Sequence, residues 1–149
     1  MNITIIELGI MHLDDCIILD QKALKGLWTS SQWEKELKNP KRICLGALEI
    51  DTKRILGICS AWFVLDELNL SLLAVDPLYF RRGIATFLLS NLIKQSKLIK
   101  INQVFLEVKD SNQPAMALYE SMGFSIEGHR ANFYKDRSNA LIYTKKLTH

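Results

Sequence analysis

Leu72-Leu73-Ala74-Val75-Asp76-Pro77-Leu78-Tyr79-Phe80-Arg81-Arg82-Gly83-Ile84-Ala85-Thr86 is the stretch on which the fold turns. Its apolar start reads as a strand, Pro77 stops that strand, and Arg81-Arg82-Gly83 makes a basic turn. Ile84, Phe87, Leu88, Leu92 and Ile93 then recur as the apolar stripe of a helix running to about Lys97. A strand that ends where a helix begins turns unpaired backbone N–H groups and the positive end of a helix dipole toward one point, which suits a pyrophosphate. The turn is therefore expected to hold a phosphorylated cofactor.

Working outward, residues 104–108 form a short apolar strand, so strand, helix and strand make a parallel crossover unit. Ser111 or Asn112 is placed to cap a further helix that carries Pro114 in its first turn and stops at Gly123. Residues 124–128 and 141–147 then close the sheet as an antiparallel pair. On the other side, residues 43–50 and 55–65 read as a hairpin across Asp51-Thr52-Lys53, with 68–75 as the next strand. Residues 3–8 alternate as a short strand, and Leu13, Ile17 and Ile18 open a helix that reaches about Leu24. A second short helix starts at Ser30 or Ser31, takes Glu34 as its capping-box partner and ends before Pro40. These two helices are expected to cover one sheet face. The order predicts an α/β fold: one domain over 1–149, with a mixed, mostly antiparallel sheet of about seven strands flanked by about four helices.

Composition bounds the chemistry. A chain of 149 residues with 48% hydrophobic and 23% charged residues is long enough to bury a core without staples. Nineteen Lys and Arg against sixteen Asp and Glu leave +3, too slight an excess to imply nucleic-acid binding. Cys16, Cys44 and Cys59 are odd in number and lie in apolar runs, so they read as buried, reduced thiols rather than a disulfide framework or a metal site. His12, His129 and His149 show neither metal spacing nor a nucleophile partner and are expected on the surface or in the core. The N-terminus lacks a basic region and cleavage signature, and no apolar run approaches spanning length, so a cytoplasmic location is expected.

Arg82-Gly83-Ile84-Ala85 matches the last four positions of Gln/Arg-x-x-Gly-x-Gly/Ala, and so resembles the acyl-coenzyme A loop of the GNAT N-acetyltransferases; Phe80 stands where that family usually has Gln or Arg. A second block, Phe105-Leu106-Glu107-Val108-Lys109-Asp110-Ser111-Asn112 with Ala117-Leu118-Tyr119-Glu120-Ser121-Met122-Gly123-Phe124, resembles the second half of the GNAT core. The likeness covers roughly residues 60–135 well and the first third loosely, through Trp28-Thr29. Within the family it is most specific to the bacterial branch that acetylates ribosomal-protein alanine N-termini.

The resemblance implies a GNAT fold and a role for each matching residue. Leu73, Ala74 and Val75 would present backbone groups to the pantetheine arm and acetyl carbonyl of acetyl-CoA. Arg81, Arg82, Gly83, Ile84, Ala85 and Thr86 would wrap its pyrophosphate, and Asn112 would touch the cofactor. Glu107 would be the general base and Tyr119 the acid that protonates the departing thiolate. Arg130-Ala131-Asn132-Phe133-Tyr134 is similar to an Arg-x-Asn-Tyr-Tyr segment beside the acceptor groove, where Phe133 and Tyr134 would wall the substrate N-terminus and Arg130 or Asn132 would bind its backbone. Asp66-Glu67 would receive the incoming ammonium. Leu72, where the ribosomal enzymes carry asparagine, and the absence of a proline before Trp28 imply a shifted peptide preference.

The implied reaction moves acetyl from acetyl-CoA to a protein N-terminal alanine by direct attack in a ternary complex, with no metal. No Cys or Ser has the context of an acetyl-enzyme nucleophile. An α-amino group titrates near roughly 7.7–8.0 and a lysine amine near roughly 10.4, so a weak base is better matched to a protein N-terminus. The implied partner is such a protein, a ribosomal protein in the resembled branch, met by a monomer or weak dimer, with no nucleic acid or membrane. Two other readings stay open: a GNAT enzyme for a small-molecule amine, and a non-catalytic CoA-binding regulatory module. Dinucleotide and ATP sites are disfavoured, because neither Gly-x-Gly-x-x-Gly nor Gly-x-x-x-x-Gly-Lys-Ser/Thr occurs at the turn. On residues alone, the turn also reads as a helix cap, Glu107 as a solvent-facing group or the partner of a nearby cation, and Tyr119 as packing.

Overall fold

In the computed structural model, which describes residues 1–148, the chain runs β1 (Ile3–Glu7), α1 (Leu13–Leu24), α2 (Ser30–Lys38), β2 (Arg42–Glu49), β3 (Arg54–Val64) and β4 (Glu67–Val75). It continues through α3 (Ile84–Leu98), β5 (Gln103–Lys109), α4 (Gln113–Ser121), β6 (Ser125–Arg130) and β7 (Ala140–Lys146), with short 3₁₀ turns at Ile10–His12 and Pro77–Tyr79. The strands hydrogen-bond in the order β1-β2-β3-β4-β5-β7-β6, giving the expected mixed sheet of seven strands with four α-helices. β4 and β5 pair in parallel from Glu67↔Gln103 to Asn69↔Phe105, as a helical crossover through α3 requires. The pairs β1–β2, β2–β3, β5–β7 and β6–β7 are antiparallel.

Two compact units divide the chain. The first comprises Met1–Trp62 and Ser71–Gln95. Its core gathers Cys16 and Leu19 of α1, Trp33 of α2, Cys44 of β2, Ile58 of β3, and Leu72 and Ala74 of β4, so α1 and α2 cover one sheet face as expected. Gly57, one residue from Ile58, lies on the other face by strand alternation. A Cβ there would sit 2.9 Å from both Ile84 Cγ2 and Leu88 Cδ1 and 3.3 Å from the Ala74 carbonyl oxygen. The missing side chain lets the first turns of α3 close directly onto β3.

A buried carboxylate sets the α1–α2 loop. Asp20, 2% exposed, accepts hydrogen bonds from the Leu27 N–H at 2.8 Å, the Trp28 N–H at 3.0 Å and the Trp33 indole N–H at 2.8 Å. Lys25 ends α1 in the left-handed region, and Trp28 packs edge-on to Trp33 at 4.7 Å. Helix α2 begins at Ser30, as expected, but its cap is Thr29. Thr29 accepts from the Gln32 N–H, and the Gln32 side chain accepts from the Thr29 N–H, so Gln32 and not Glu34 completes the capping box. Glu34 instead pairs with Lys38 one turn on, at 2.9 Å.

The second unit comprises Phe63–Leu70 and the chain from Ser96 onward. Burial alternates along β5: Val104, Leu106 and Val108 are buried, while Phe105, Glu107 and Lys109 face the other way. Strand β6 carries one extra residue between Ile126 and Gly128, a β-bulge against β7. Asn112 caps α4 by accepting from the Ala115 N–H at 3.2 Å, and Gly123, at φ +89°, turns the chain out of the helix.

Candidate active site

In the first unit, the turn after β4 is held from below by Asp76. Its backbone N–H donates to the Leu56 carbonyl at 2.8 Å, and its buried carboxylate accepts from the Leu78 N–H at 3.0 Å. Lys22 Nζ and Arg54 Nη2 stand 3.7 and 3.9 Å from the same carboxylate. Above this anchor, Arg81, Arg82 and Gly83 are exposed, with Arg81 at φ +63° and Gly83 at φ +78°. The Arg82 guanidinium lies 5.3 Å from the centre of the Tyr79 ring. Gly83 gives its carbonyl to the Phe87 N–H at 2.9 Å and opens α3, whose first N–H groups have no partner within the helix. A Cβ on Gly83 would meet nothing within 4 Å, so the space at this turn suits a phosphate group. Phe80 is 58% exposed.

In the second unit the structure brings four of the expected residues together, Glu107, Arg130, Phe133 and Tyr134. Glu107 Oε1 lies 3.4 Å from Arg130 Nε, with both side chains partly open to solvent. The Arg130 guanidinium sits 5.6 Å from the Phe133 ring centre, and Phe133 meets Tyr134 edge-on at 5.1 Å. Partial burial pushes the Tyr134 phenol above its ordinary value, and the negative charges of Glu107 and Asp110 push it further the same way. Lys109, on the same face of β5, is committed to Asp136 at 2.5 Å. That contact, with the Ser138 hydrogen bonds, holds the Asp136 carboxyl well below the usual range.

The loop bearing these aromatics is tied by a residue the sequence did not single out. The Asn139 side chain accepts from the Asn132 N–H at 3.1 Å, and its carbonyl accepts from the Asp110 N–H at 3.0 Å. Asn132 itself sits at φ +53°, a conformation asparagine tolerates better than most residues.

Tyr119 lies on α4, 7% exposed, with its ring 5.8 Å from Phe124 and 6.3 Å from Tyr143. The Asn112 side-chain oxygen is occupied by capping, which leaves its amide nitrogen for a ligand. Asp66 serves the β4–β5 end: its carbonyl accepts from the Asn102 N–H at 2.7 Å and its carboxylate from the Asn102 amide at 2.9 Å. Glu67 is exposed at the start of β4. Leu72 points into the core of the first unit.

The cysteines are buried and unpaired, and burial pushes the thiols of Cys16 and Cys59 up to about 12 and that of Cys44 to about 11. Such thiols are poor nucleophiles at neutral pH. The His12 ring accepts from the Gly9 N–H at 2.9 Å, and His149 lies outside the described residues. Trp62 is 37% exposed with Arg42 over its ring at 5.8 Å.

A strand-turn-helix anchor of this form, followed by a parallel strand that carries an outward glutamate, is the architecture of an acyl-CoA-dependent acetyltransferase fold. The sequence model of the acetyltransferase (GNAT) family matches residues 11–124, and the chain belongs to that family. It is similar to the [Ribosomal protein bS18]-alanine N-acetyltransferase of Escherichia coli (strain K12), 45% identical over 82 residues, 53% of this chain and 55% of that one. The match thus spans about half the length of this relative. The crystal structure of the ribosomal-protein-S18-alanine N-acetyltransferase from Escherichia coli superposes with a TM-score of 0.91 at 28% identity, over 99% of this chain and 96% of that one. The fold is shared also with the PaiA N-acetyltransferase from Thermoplasma acidophilum in complex with coenzyme A, at TM-score 0.83 and 21% identity, over 99% and 100% of the two chains.

Proposed function

We propose that this chain, acting as one catalytic domain, transfers acetyl from acetyl-CoA to the α-amino group of a protein N-terminus, an alanine of a ribosomal protein. The observation that carries the reading is Glu107, a carboxylate on the outward face of β5 within the otherwise apolar run from Val104 to Val108, with Arg130 and Tyr134 around it. The likeness to a bS18-alanine N-acetyltransferase supports the choice of acceptor.

In this reading the first unit holds the acyl donor. The Arg81–Thr86 turn takes the pyrophosphate on main-chain amides, Asp76 keeps that turn in place, and the backbone of Leu73, Ala74 and Val75 receives the pantetheine arm and the thioester carbonyl. The second unit moves the protons. Glu107 accepts a proton from the acceptor ammonium, directly or through water, so that the free amine attacks the thioester carbon. The C–N bond forms, the nitrogen gives up its second proton to water, the C–S bond breaks, and Tyr119 donates its phenolic proton to the leaving sulfur and regains one from water. A phenol near pKa 10 and a thiol near 8.5 are close enough for that transfer. Asn112 offers its free amide nitrogen to the cofactor, while Glu67, Arg130, Asn132 and Tyr134 flank the acceptor.

The test offers the purified protein acetyl-CoA with an alanine-starting ribosomal peptide beside a panel of polyamines, aminoglycosides and amino acids. Acetylation of the peptide α-amine is expected. Turnover confined to a small amine would move the acceptor assignment, and tight CoA binding without any transfer would leave a binding module. Tyr119→Phe is expected to lower kcat more than it weakens acetyl-CoA binding; the opposite pattern would remove the acid role.

A further inference from the structure

The bulge in β6 has a chemical consequence. In an antiparallel pair, residues opposite one another share a face, and a one-residue slip sends each side chain to the opposite face. Before the bulge, Ser125 faces Thr144 and Ile126 faces Tyr143; after it, Gly128 faces Ile142 and Arg130 faces Ala140. Ile142 and Ala140 are in turn opposite Glu107 and Lys109 of β5. The extra residue therefore puts Arg130 on the face that carries Glu107, from where it reaches over β7 to the carboxylate. Without it, the register would set His129 opposite Ala140 and turn Arg130 away.

Lys109 is the other cation on this face of β5, and Asp136 holds it. Arg130 is thus the charge that serves Glu107, and its guanidinium already rests near the Phe133 ring, a surface able to keep a cation that has left its carboxylate. The acceptor of the proposed reaction brings an ammonium that must approach the same oxygen atoms.

We propose that Arg130 is a charge placeholder on Glu107: it pairs with the carboxylate while the acceptor is absent, and the acceptor's α-ammonium displaces it toward Phe133. The inference rests on the assignment of Glu107 as base. Acceptor binding then exchanges one ion pair for another. Exchange leaves the net number of charge contacts unchanged, so acceptor affinity depends little on ionic strength. With the placeholder removed, binding creates an ion pair where none existed, and its strength falls with salt.

The experiment measures KM for an alanine-starting peptide with no charged side chain, at low and high ionic strength, in the wild-type chain, Arg130→Gln and Arg130→Lys. Arg130→Gln is expected to lower KM at low salt by about two- to fivefold, the worth of one exposed ion pair, and to make KM rise with salt. Arg130→Lys is expected to restore the flat wild-type response, which a purely structural role would not predict. An equal salt dependence in all three, or a higher KM in Arg130→Gln at every salt concentration, overturns the placeholder. Wild-type turnover in Glu107→Gln would instead remove the base assignment beneath it, so the two failures are separable.

Discussion

Replacing Asp20 by alanine tests whether one buried carboxylate organises the whole α1–α2 loop. The side chain accepts three hydrogen bonds, two from loop N–H groups and one from the indole of Trp33, which is fully buried. In the alanine variant the Leu27 and Trp28 N–H groups, only partly buried, can turn to water, at a cost of at most about 1 kcal/mol each. The Trp33 N–H cannot, and an orphaned buried donor costs about 1–3 kcal/mol. The expected loss is about 1–5 kcal/mol, to be set against the roughly 5–15 kcal/mol that holds a domain together. With a urea dependence of about 2 kcal/mol per molar, the unfolding midpoint should fall by about 0.5–2.5 M. Equilibrium unfolding in urea, followed by tryptophan fluorescence, reads this directly. Repeating it in a Trp33→Phe background, which removes the donor, should reduce the cost of Asp20→Ala by about 1–3 kcal/mol. A midpoint shift within error of zero, or the same cost in both backgrounds, would refute the reasoning.

Two further outcomes follow from the packing. Gly57→Val drives a side chain into Ile84 and Leu88, and is expected to cost about 1–3 kcal/mol and lower Tm by several degrees; an unchanged Tm would mean α3 does not rest on β3. The buried thiols stay protonated in the fold, with values raised to about 11 and 12 from an ordinary 9.0. The unfolded chain therefore loses these protons first, and the stability they contribute is complete below about pH 9 and lost as pH rises toward 11–12. Unfolding free energy measured from pH 8 to 11 should fall, and a thiol reagent should leave the native protein unlabelled at pH 8; rapid labelling there would contradict the burial.

The sequence was most legible where function and fold used local chemistry. Pro77, Gly83 and the stripe from Ile84 marked the β4 end and α3 because each acts on its own stretch of backbone. Glu107 stood out because strand alternation alone separates it from Leu106 and Val108. What escaped notice depends on partners distant in the chain. Asp20 reads as a helix-surface acid until Trp33, thirteen residues on, supplies the buried donor. Thr29, Ser30 and Ser31 are all able to cap a helix, and the extended backbone at Thr29 decides among them. Glu36 reads as an exposed helix residue, yet it is buried, accepts from the Ser60 hydroxyl at 2.5 Å and has Arg42 Nε at 3.1 Å. The plain alternative for Glu107, a nearby cation as partner, is also part of the structure, but naming Arg130 needed the β5-β7-β6 order and the bulge.

The central claim is that the Glu107 carboxylate takes the proton that the attacking amine must lose. Its most direct test is the rate of a single acetyl transfer from saturating acetyl-CoA to an alanine-starting peptide, compared between the wild-type chain and Glu107→Gln. The account predicts a rate at least about a hundredfold slower in the variant, the usual scale of general-base catalysis, with acetyl-CoA affinity unchanged. An undiminished rate in Glu107→Gln would contradict it.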